Sequence, residues 1–451
     1  MGIEIGIEWL TLIMFGSLLA LLMAGLPLAF VTGGLACVFL FVLGDARALN
    51  IVPSRIFPLM TNYQLSAIPL FIFMAAMLER AGLINEMFDV IYKLLGGLKG
   101  GLAAATVLAS TVLAAMVGVI GAAVVTMGII ALPAMLSRGY DPKIAMGSIM
   151  AGGTLGILIP PSILAIIYAV VAEQSVGELF IGAVIPGLLL SGMYIAYAVV
   201  RSYINPRLGP PIPMEERVST REKIRLLGNM AAPIALIVVV LGVIFSGVAT
   251  PVEAAGIGTF GAFIVAAIHR KLDWQTIREA CLTTLKASAM VIWIMFGATI
   301  FVGLYVLEGG QQFVQQSLTA TGLGPWGILL LMQVILIILG MFLDWVGILL
   351  LCVPIFVPIV KALGAASFGL ETPDDLVLWF GVLYLVNMQM SFLSPPFGYA
   401  LFYLRGVAPP EIPMGDIFRA ALPFLALQVV GLALCMFFPQ IIIWLPRLVY
   451  G

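Results

Sequence analysis

Two proline doublets lie inside long apolar segments of this sequence, and hydroxyl, amide and glycine residues surround them. Pro160-Pro161 is followed by Ser162, and Pro395-Pro396 is preceded by Ser394. A proline removes a helical hydrogen bond and clashes with the preceding turn, so each doublet predicts two half-helices joined by extended backbone. In lipid such a break persists only where protein or water covers it. Half-helix C-termini bind cations and half-helix N-termini bind anions, which is the chemistry of a transporter's binding site.

The groups around these breaks suit a hard monovalent cation and an organic anion. Sodium is favoured over a proton because the apolar segments contain no chain of carboxylates for a proton relay. Asp344 stands out among the charges because it falls inside a predicted hairpin, where it serves either as a cation ligand or as a helix cap. Each glycine has close helix packing as its alternative role, and Ser162 has N-capping. The candidate sodium ligands are Gly118, Gly121, Gly152, Gly153, Thr154, Gly156, Asp344, Asn387, Ser391 and Ser394. The candidate substrate contacts are Thr154, Pro160, Pro161, Ser162, Ser394, Pro395 and Pro396.

The composition places the chain in the membrane. Of 451 residues, 62% are hydrophobic and 10% are charged, whereas soluble domains carry about 25% charged residues. The mean hydropathy is +1.17. We therefore predict an all-α polytopic membrane protein whose first apolar stretch is a retained helix.

Several function classes are excluded at this point. The net charge of −1 gives no basic face for nucleic acid. The sequence contains no phosphate-binding Gly-x-x-x-x-Gly-Lys-Ser/Thr loop and no His-Glu-x-x-His zinc motif. The four cysteines are scattered without metal spacing. No convergent nucleophile, acid–base or metal group indicates an enzyme, and no cofactor is expected.

The same order of segments occurs twice. We assign residues 1–200 to a first repeat and 230–438 to a second, joined by a linker at 201–229 and followed by a tail at 439–451. In each repeat a hairpin of two short apolar arms precedes the broken helix. Because each arm of the first hairpin has about 15 residues and a span needs about 20, we predict re-entrant hairpins, with two short tilted spans as the alternative. The hairpins are 102–137 and 326–361, and the broken helices are 142–172 and 375–404.

Two polar stretches complete this organisation. Residues 82–97 carry apolar side chains at helical spacing, which indicates an amphipathic helix, either in the membrane interface or packed on the bundle. In the second half, 270–286 is expected to be a separate polar stretch before a span at 287–306. The sequence Thr250-Pro251-Val-Glu253 predicts a capping box at a helix start.

The basic residues indicate an orientation. With uncrossed hairpins each repeat crosses the membrane an odd number of times, so the two repeats are inverted relative to each other. If the arginine-rich linker is cytoplasmic, the 21 Lys and Arg residues all lie inside except Arg47, Arg55, Lys361 and Arg447. The positive-inside rule expects this skew.

Five stretches resemble the large permease subunit of tripartite ATP-independent periplasmic (TRAP) transporters, and together they extend over essentially the whole chain. The region from Pro395 to Pro409 is similar to the mannitol/chloroaromatic branch, whose known substrates include small organic acids such as keto acids and lactate. The five stretches are Ala67–Phe71, Gly152–Ser162, Ala249–Ala255, Phe342–Asp344 and Ser394–Gly406.

This resemblance implies an elevator-type transporter in the bacterial inner membrane. The hairpins and broken helices would slide as one unit against a scaffold made of the remaining spans. The resemblance also implies sodium coupling, a periplasmic substrate-binding protein that delivers an organic acid, and a small four-helix membrane subunit. The first hairpin tip departs from the family pattern because it lacks a hydroxyl, which leaves backbone carbonyls and the nearby Ser110 or Thr126. The second break has Ser394 where the family commonly has threonine.

Two other functions are compatible with these residues. A stand-alone sodium/dicarboxylate or ion symporter with similar hairpins would transport without a binding protein. A passive channel would show sodium-independent, non-saturable flux.

Overall fold

The computed structural model describes residues 5–44, 46–117, 120–213, 220–396 and 398–451, and all regular elements in these ranges are helices. Six of the described helices are long and apolar enough to cross a membrane, and a bent pair, Arg47–Met60 with Tyr63–Arg80, would make a seventh span. Eight further apolar helices are shorter. The predicted all-α polytopic architecture is confirmed.

The first half begins with two apolar helices and ends with a long span. The segment between the second and fourth helices contains the short helix α3. The amphipathic stretch forms α5, and its buried apolar face packs on the first hairpin arm, α6. The helices are α1 (Ile7–Met23), α2 (Leu28–Gly44), α3 (Ile51–Met60), α4 (Ala67–Arg80), α5 (Leu83–Leu95), α6 (Gly101–Val117), α7 (Ile120–Leu136), α8 (Pro142–Thr154), α9 (Ile163–Ala172), α10 (Val176–Ile204) and α11 (Thr220–Asn229).

The second half repeats this order with one difference. The expected separation of a polar stretch at 270–286 from a span at 287–306 is wrong, because both belong to one continuous 34-residue helix, α14. The residues of the tail form a helix, α21. The helices are α12 (Ala231–Phe245), α13 (Pro251–Ile268), α14 (Trp274–Leu307), α15 (Gly310–Ala320), α16 (Pro325–Gly340), α17 (Trp345–Leu363), α18 (Pro373–Leu393), α19 (Tyr399–Val407), α20 (Met414–Phe437) and α21 (Gln440–Tyr450).

Caps fix where the key helices begin. The predicted capping box is present: the Thr250 hydroxyl accepts the Glu253 N–H at 3.3 Å, and the Glu253 carboxylate accepts the Thr250 N–H at 2.8 Å. Both broken helices start with an N-cap followed by proline. Asp141 accepts the Lys143 N–H at 2.9 Å, and the Thr372 hydroxyl accepts the backbone N–H three residues later. A proline at the first helical position lacks only an N–H that the helix would leave free.

The two halves exchange packing partners. By position in the repeat, α2 corresponds to α13, and α4 corresponds to the second part of α14. Helix α2 packs on α14, and helix α13 packs on α4. In the same way α9 packs on α17 of the other half, and α19 packs on α7. Two repeats related by a twofold axis produce this reciprocal pattern.

The packing separates the helices into two groups. We call α6–α10 with α16–α20 the hairpin unit, and α1–α4 with α12–α14 the flanking unit. Helix α10 packs on α6, α8 and α18, and helix α20 packs on α8 and α18, whereas α10 makes only a small contact with α12. By packing, these two spans therefore group with the hairpin unit rather than with the flanking helices. The flanking unit meets the hairpin unit mainly through α14 on α17 and α4 on α6.

Part of the linker is tied to the first hairpin. The Gly100 N–H donates to the Gly209 carbonyl at 2.9 Å, and the Asp141 N–H donates to the Leu208 carbonyl at 3.0 Å. Residues 205–213 thus connect the start of α6 to the start of α8.

Candidate functional site

The first break is fully buried. Helix α8 ends at Thr154, one tight turn follows at Leu155–Ile157, and the doublet Pro160-Pro161 precedes α9. Ser162 caps α9: its hydroxyl donates to the Ile157 carbonyl at 2.5 Å and accepts the Ala165 N–H at 3.3 Å. The capping role of Ser162 is therefore present, and its hydroxyl already has two partners.

The second break is open on one side. Helix α18 ends at Leu393, and the Ser394 hydroxyl donates to the Met390 carbonyl at 2.7 Å. The Gly398 N–H donates to the Ser394 carbonyl at 3.0 Å, which closes the turn before α19. Pro396 is exposed and Pro395 is half-buried, in contrast to the buried first doublet.

Each break lies against the hairpin of its own half. A Cβ atom added to Gly152 would come within 2.8 Å of the Ser110 side chain on α6, and one added to Gly340 on α16 would collide with Ser391. These glycines let the half-helix approach the hairpin arm closely, which confirms their packing role. Gly153 packs on α7 in the same manner, and Gly156 is buried in the turn that follows α8.

The start of α7 reaches the second break. A Cβ atom added to Gly121 would lie 3.1 Å from the ring of Tyr403 on α19. Gly118, the other predicted residue of the first tip, lies outside the described residues. Tyr403 and its neighbour Tyr399, whose ring centroids are 6.4 Å apart, were not predicted.

Asp344 stands at the tip of the second hairpin. Its carboxylate accepts the Val346 N–H at 3.3 Å and caps α17. Among the described residues no basic side chain pairs with it. The neighbouring Trp345 carbonyl accepts the hydroxyl of Tyr384 on α18 at 3.3 Å. The capping role of Asp344 is thus present.

Three buried glutamines complete the polar interior, and the sequence analysis missed them. The Asn387 amide donates to the Gln333 carbonyl at 2.9 Å and to the Gln333 side-chain oxygen at 2.7 Å. The Gln428 amide donates to the Thr154 hydroxyl at 3.3 Å. Gln389 is fully buried, and neither amide atom has a partner among the described residues. The sequence signal for this role was a glutamine in the middle of an apolar span, because such side chains form hydrogen bonds between helices in membranes.

The predicted residues therefore form two groups. The group near the first hairpin contains Gly121, Gly152, Thr154 and Gly156, and the group near the second contains Asp344, Asn387, Ser391 and Ser394. The crossing contacts of α9 with α17 and of α19 with α7 join these groups.

A cavity of about 620 Å³ opens beside the second break. It separates the end of α1 from the second hairpin tip and α19, so it lies between the flanking unit and the hairpin unit. Its lining is mostly apolar and consists of Leu19, Leu22, Met23, Phe342, Leu343, Tyr399 and Phe402.

Arg138, just before the first broken helix, and Arg405, near the end of the second, are engaged elsewhere. The Arg405 guanidinium donates to the Ile412 carbonyl at 2.8 Å. Arg138 lies 5.3 Å from the centroid of the Tyr92 ring. Neither is a ready carboxylate clamp in this structure.

A family model decides the identity of this arrangement. Residues 15–441 match the model described as "Tripartite ATP-independent periplasmic transporter, DctM component". The chain belongs to this family. It is a large permease of the TRAP type, a multi-pass protein of the inner membrane, and the family is non-enzymatic.

Individual relatives agree with this assignment. The C4-dicarboxylate TRAP transporter large permease protein DctM of Pseudomonas aeruginosa is 34% identical, with 92% of each chain covered. The sialic acid TRAP transporter large permease protein SiaM of Vibrio cholerae is 30% identical, over 96% of this chain and 97% of that protein. The crystal structure of the Alcanivorax borkumensis YdaH transporter shares the fold, with a TM-score of 0.63 at 14% identity over 93% of this chain and 98% of that chain.

Proposed function

We propose that this TRAP permease imports a small organic acid together with sodium, receiving the acid from a periplasmic binding protein. One observation carries the proposal: the two broken helices each end against the hairpin of their own half, and each crosses to the hairpin of the other half. This arrangement gathers half-helix ends of both polarities at one place, where the C-termini attract a cation and the N-termini attract a carboxylate.

The donor set favours sodium as the coupling ion. Carbonyl oxygens at the ends of α8 and α18, with the Ser391 and Ser394 hydroxyls and the Asp344 carboxylate, are hard neutral or anionic oxygens. No group of three or more His, Cys, Asp or Glu residues that could hold a metal ion is found in the described part of the chain. Thr154 and Asn387 support the half-helix ends through their bonds to neighbouring helices.

The substrate would lie between the two breaks. Pro160, Pro161 and Ser162 precede α9, and Ser394, Pro395 and Pro396 precede α19, so the N–H groups at the start of either second half-helix would be the donors to a carboxylate. The relatives are named for a C4-dicarboxylate and for sialic acid, and both compounds carry carboxylates. The similarity to the mannitol/chloroaromatic branch favours a keto acid or lactate.

Movement as an elevator agrees with the two packing groups. The hairpin unit would slide along α4 and α14 of the flanking unit. The cavity lies on the side of Met23 and Arg405, which the charge distribution assigns to the cytoplasm. The structure then corresponds to an inward-open state. In this state the apolar cavity lies between the substrate region and the flanking unit.

The partners follow from the tripartite family. A small four-helix membrane subunit would cover part of the flanking unit, and a periplasmic binding protein would deliver the acid. A stand-alone sodium symporter is the alternative function.

Reconstituted uptake tests the proposal. The chain, with and without its small subunit, is placed in proteoliposomes with pyruvate, lactate and succinate outside, with sodium or choline, and with or without the binding protein. We expect uptake of one acid only when sodium, the small subunit and the binding protein are all present. Efficient uptake by the permease alone would favour the symporter, and non-saturable flux in choline would favour a channel.

A further inference from the structure

The last span of the second half contacts the first break through one buried side chain. Gln428 lies on α20 and is fully buried, as is Thr154 at the end of α8. The Gln428 amide donates to the Thr154 hydroxyl at 3.3 Å, and that hydroxyl donates to the Ala151 carbonyl at 2.8 Å. A side chain of one repeat is thus connected to the last turn of the half-helix in the other.

The backbones of α8 and α20 approach closely before this contact. A Cβ atom added to Gly147 would lie 2.6 Å from the Ala420 carbonyl oxygen, and it would also strike the Phe424 ring. Gly147 and Thr154 are two turns apart on α8, and Ala420, Phe424 and Gln428 are successive turns on α20. At one end of the α8–α20 interface, Gly147 lies against the backbone of α20. At the other end, the Gln428 amide bonds to the Thr154 hydroxyl.

The second break is held in a different way. Position 389 has the same spacing to its proline doublet as position 154, but the Gln389 amide has no partner among the described residues. The end of α18 is instead fastened by Asn387 to Gln333 on α16, within its own half. The polar side-chain contact at the first break thus comes from the other repeat, and that at the second break comes from its own hairpin.

We propose that Gln428 is a positioning residue for the cation site at the first break. By holding Thr154 it fixes the last turn of α8, whose carbonyl oxygens end at the break. A cation of sodium's size requires its carbonyl ligands at set distances, so a loosened turn weakens cation binding. The Gln428 amide also lies at hydrogen-bond range of the buried Tyr194 hydroxyl on α10, so the bond to Thr154 is its contact with the break and Tyr194 is a second polar neighbour. This inference rests on the sodium coupling proposed above.

The test compares variants that keep or remove this hydrogen bond. Gln428→Met and Thr154→Val remove it with little change of volume, and Thr154→Ser keeps the hydroxyl. Sodium binding to the purified permease in nanodiscs is followed by the thermal shift, with NaCl titrated against choline chloride at constant ionic strength. We expect Gln428→Met and Thr154→Val each to raise the half-maximal sodium concentration by about five- to tenfold, the effect of one lost buried hydrogen bond.

The pattern across variants decides the matter. Thr154→Ser, which keeps the hydroxyl, should bind sodium more tightly than Thr154→Val, and the double variant Gln428→Met/Thr154→Val should be no weaker than either single. Additive losses, or a loss in Gln428→Met with none in Thr154→Val, would show that Gln428 acts by packing and would overturn the inference. Ser288→Ala is the control, because it removes a buried hydroxyl on α14 that has no partner among the described residues.

A second measurement separates this inference from the proposed function. If the unmodified permease shows no sodium-dependent shift, sodium coupling is wrong whatever Gln428 does. Amide hydrogen exchange of residues 152–159 then reports the positioning directly. Faster exchange in Gln428→Met and Thr154→Val, but not in Thr154→Ser, would support it, and unchanged exchange would refute it.

Discussion

At the scale of single residues, substitutions of Asp344 can separate its capping role from its proposed role as a cation ligand. Its carboxylate caps α17 through the Val346 N–H. Asparagine retains N-capping ability, whereas alanine does not and costs about 1 kcal/mol. We expect Asp344→Asn to keep its thermal stability and to lose sodium-dependent uptake, while Asp344→Ala loses both. Wild-type sodium dependence in Asp344→Asn would leave the cap as the sole role of this carboxylate.

Gly152 tests the close approach of the first broken helix to its hairpin. An added Cβ would come within 2.8 Å of the Ser110 Cβ and hydroxyl. Overpacking of this kind costs about 1–3 kcal/mol, so Gly152→Ala should lower the thermal midpoint in detergent. The double variant Gly152→Ala/Ser110→Gly should recover the thermal midpoint, because Ser110→Gly removes the Cβ and the hydroxyl that the added Cβ would strike. Gly192→Ala on α10 is the matched control, since nothing lies within 4 Å of its added Cβ. An equal loss in the control would point to a general cost of alanine.

At the scale of elements, α21 joins the outer ends of the hairpin unit. Arg447 donates to Glu371 at 2.9 Å and to Asp375 at 2.8 Å, and the buried face of α21 packs on α10. Partly exposed ion pairs contribute about 1 kcal/mol or less. We therefore expect Arg447→Met to destabilise the permease slightly and deletion of residues 440–451 to destabilise it far more. Arg419→Met, at an exposed pair with a 3.8 Å separation, is the control and should have no effect. A larger loss in Arg447→Met than in the deletion would contradict this ranking.

The sequence predicts most of the helices that position the site, but it does not predict which helices pack on each other. Proline doublets, N-caps followed by proline, and short apolar arms are local signals, and they locate both breaks and both hairpins correctly. The continuity of α14 was missed because a polar helix start resembles a separate interfacial stretch. Gln333 and Gln428 were missed because their role depends on the helices opposite them. The contact of α19 with α7 is non-local, so no spacing along the chain reveals it.

At the scale of the whole molecule, the reciprocal packing of the halves brings the two broken helices together, as the proposed site requires. In the flanking unit, α2 packs on α14 and α4 packs on α13, which is a symmetric arrangement. In the hairpin unit, α9 packs on α17 and α19 packs on α7, so each half contacts the hairpin of the other. The symmetry is incomplete, because the first break is buried and the second opens on the cavity. An alternating-access cycle requires such asymmetry, since the two breaks would exchange their exposure between the inward-open and outward-open states.

The inverted orientation of the two halves is the last prediction, and cysteine labelling tests it. Of the native cysteines, Cys281 is exposed, so Cys281→Ser provides the background. New cysteines replace the exposed outer residues Glu173 and Glu371, and, on the other side, Lys143 and Arg405, which start α8 and end α19. A membrane-impermeant maleimide added to intact cells should label the first pair only, and permeabilisation should add the second. Labelling of Glu173→Cys and Arg405→Cys together from outside would mean that the two broken helices run in the same direction, and the inverted repeat would be wrong.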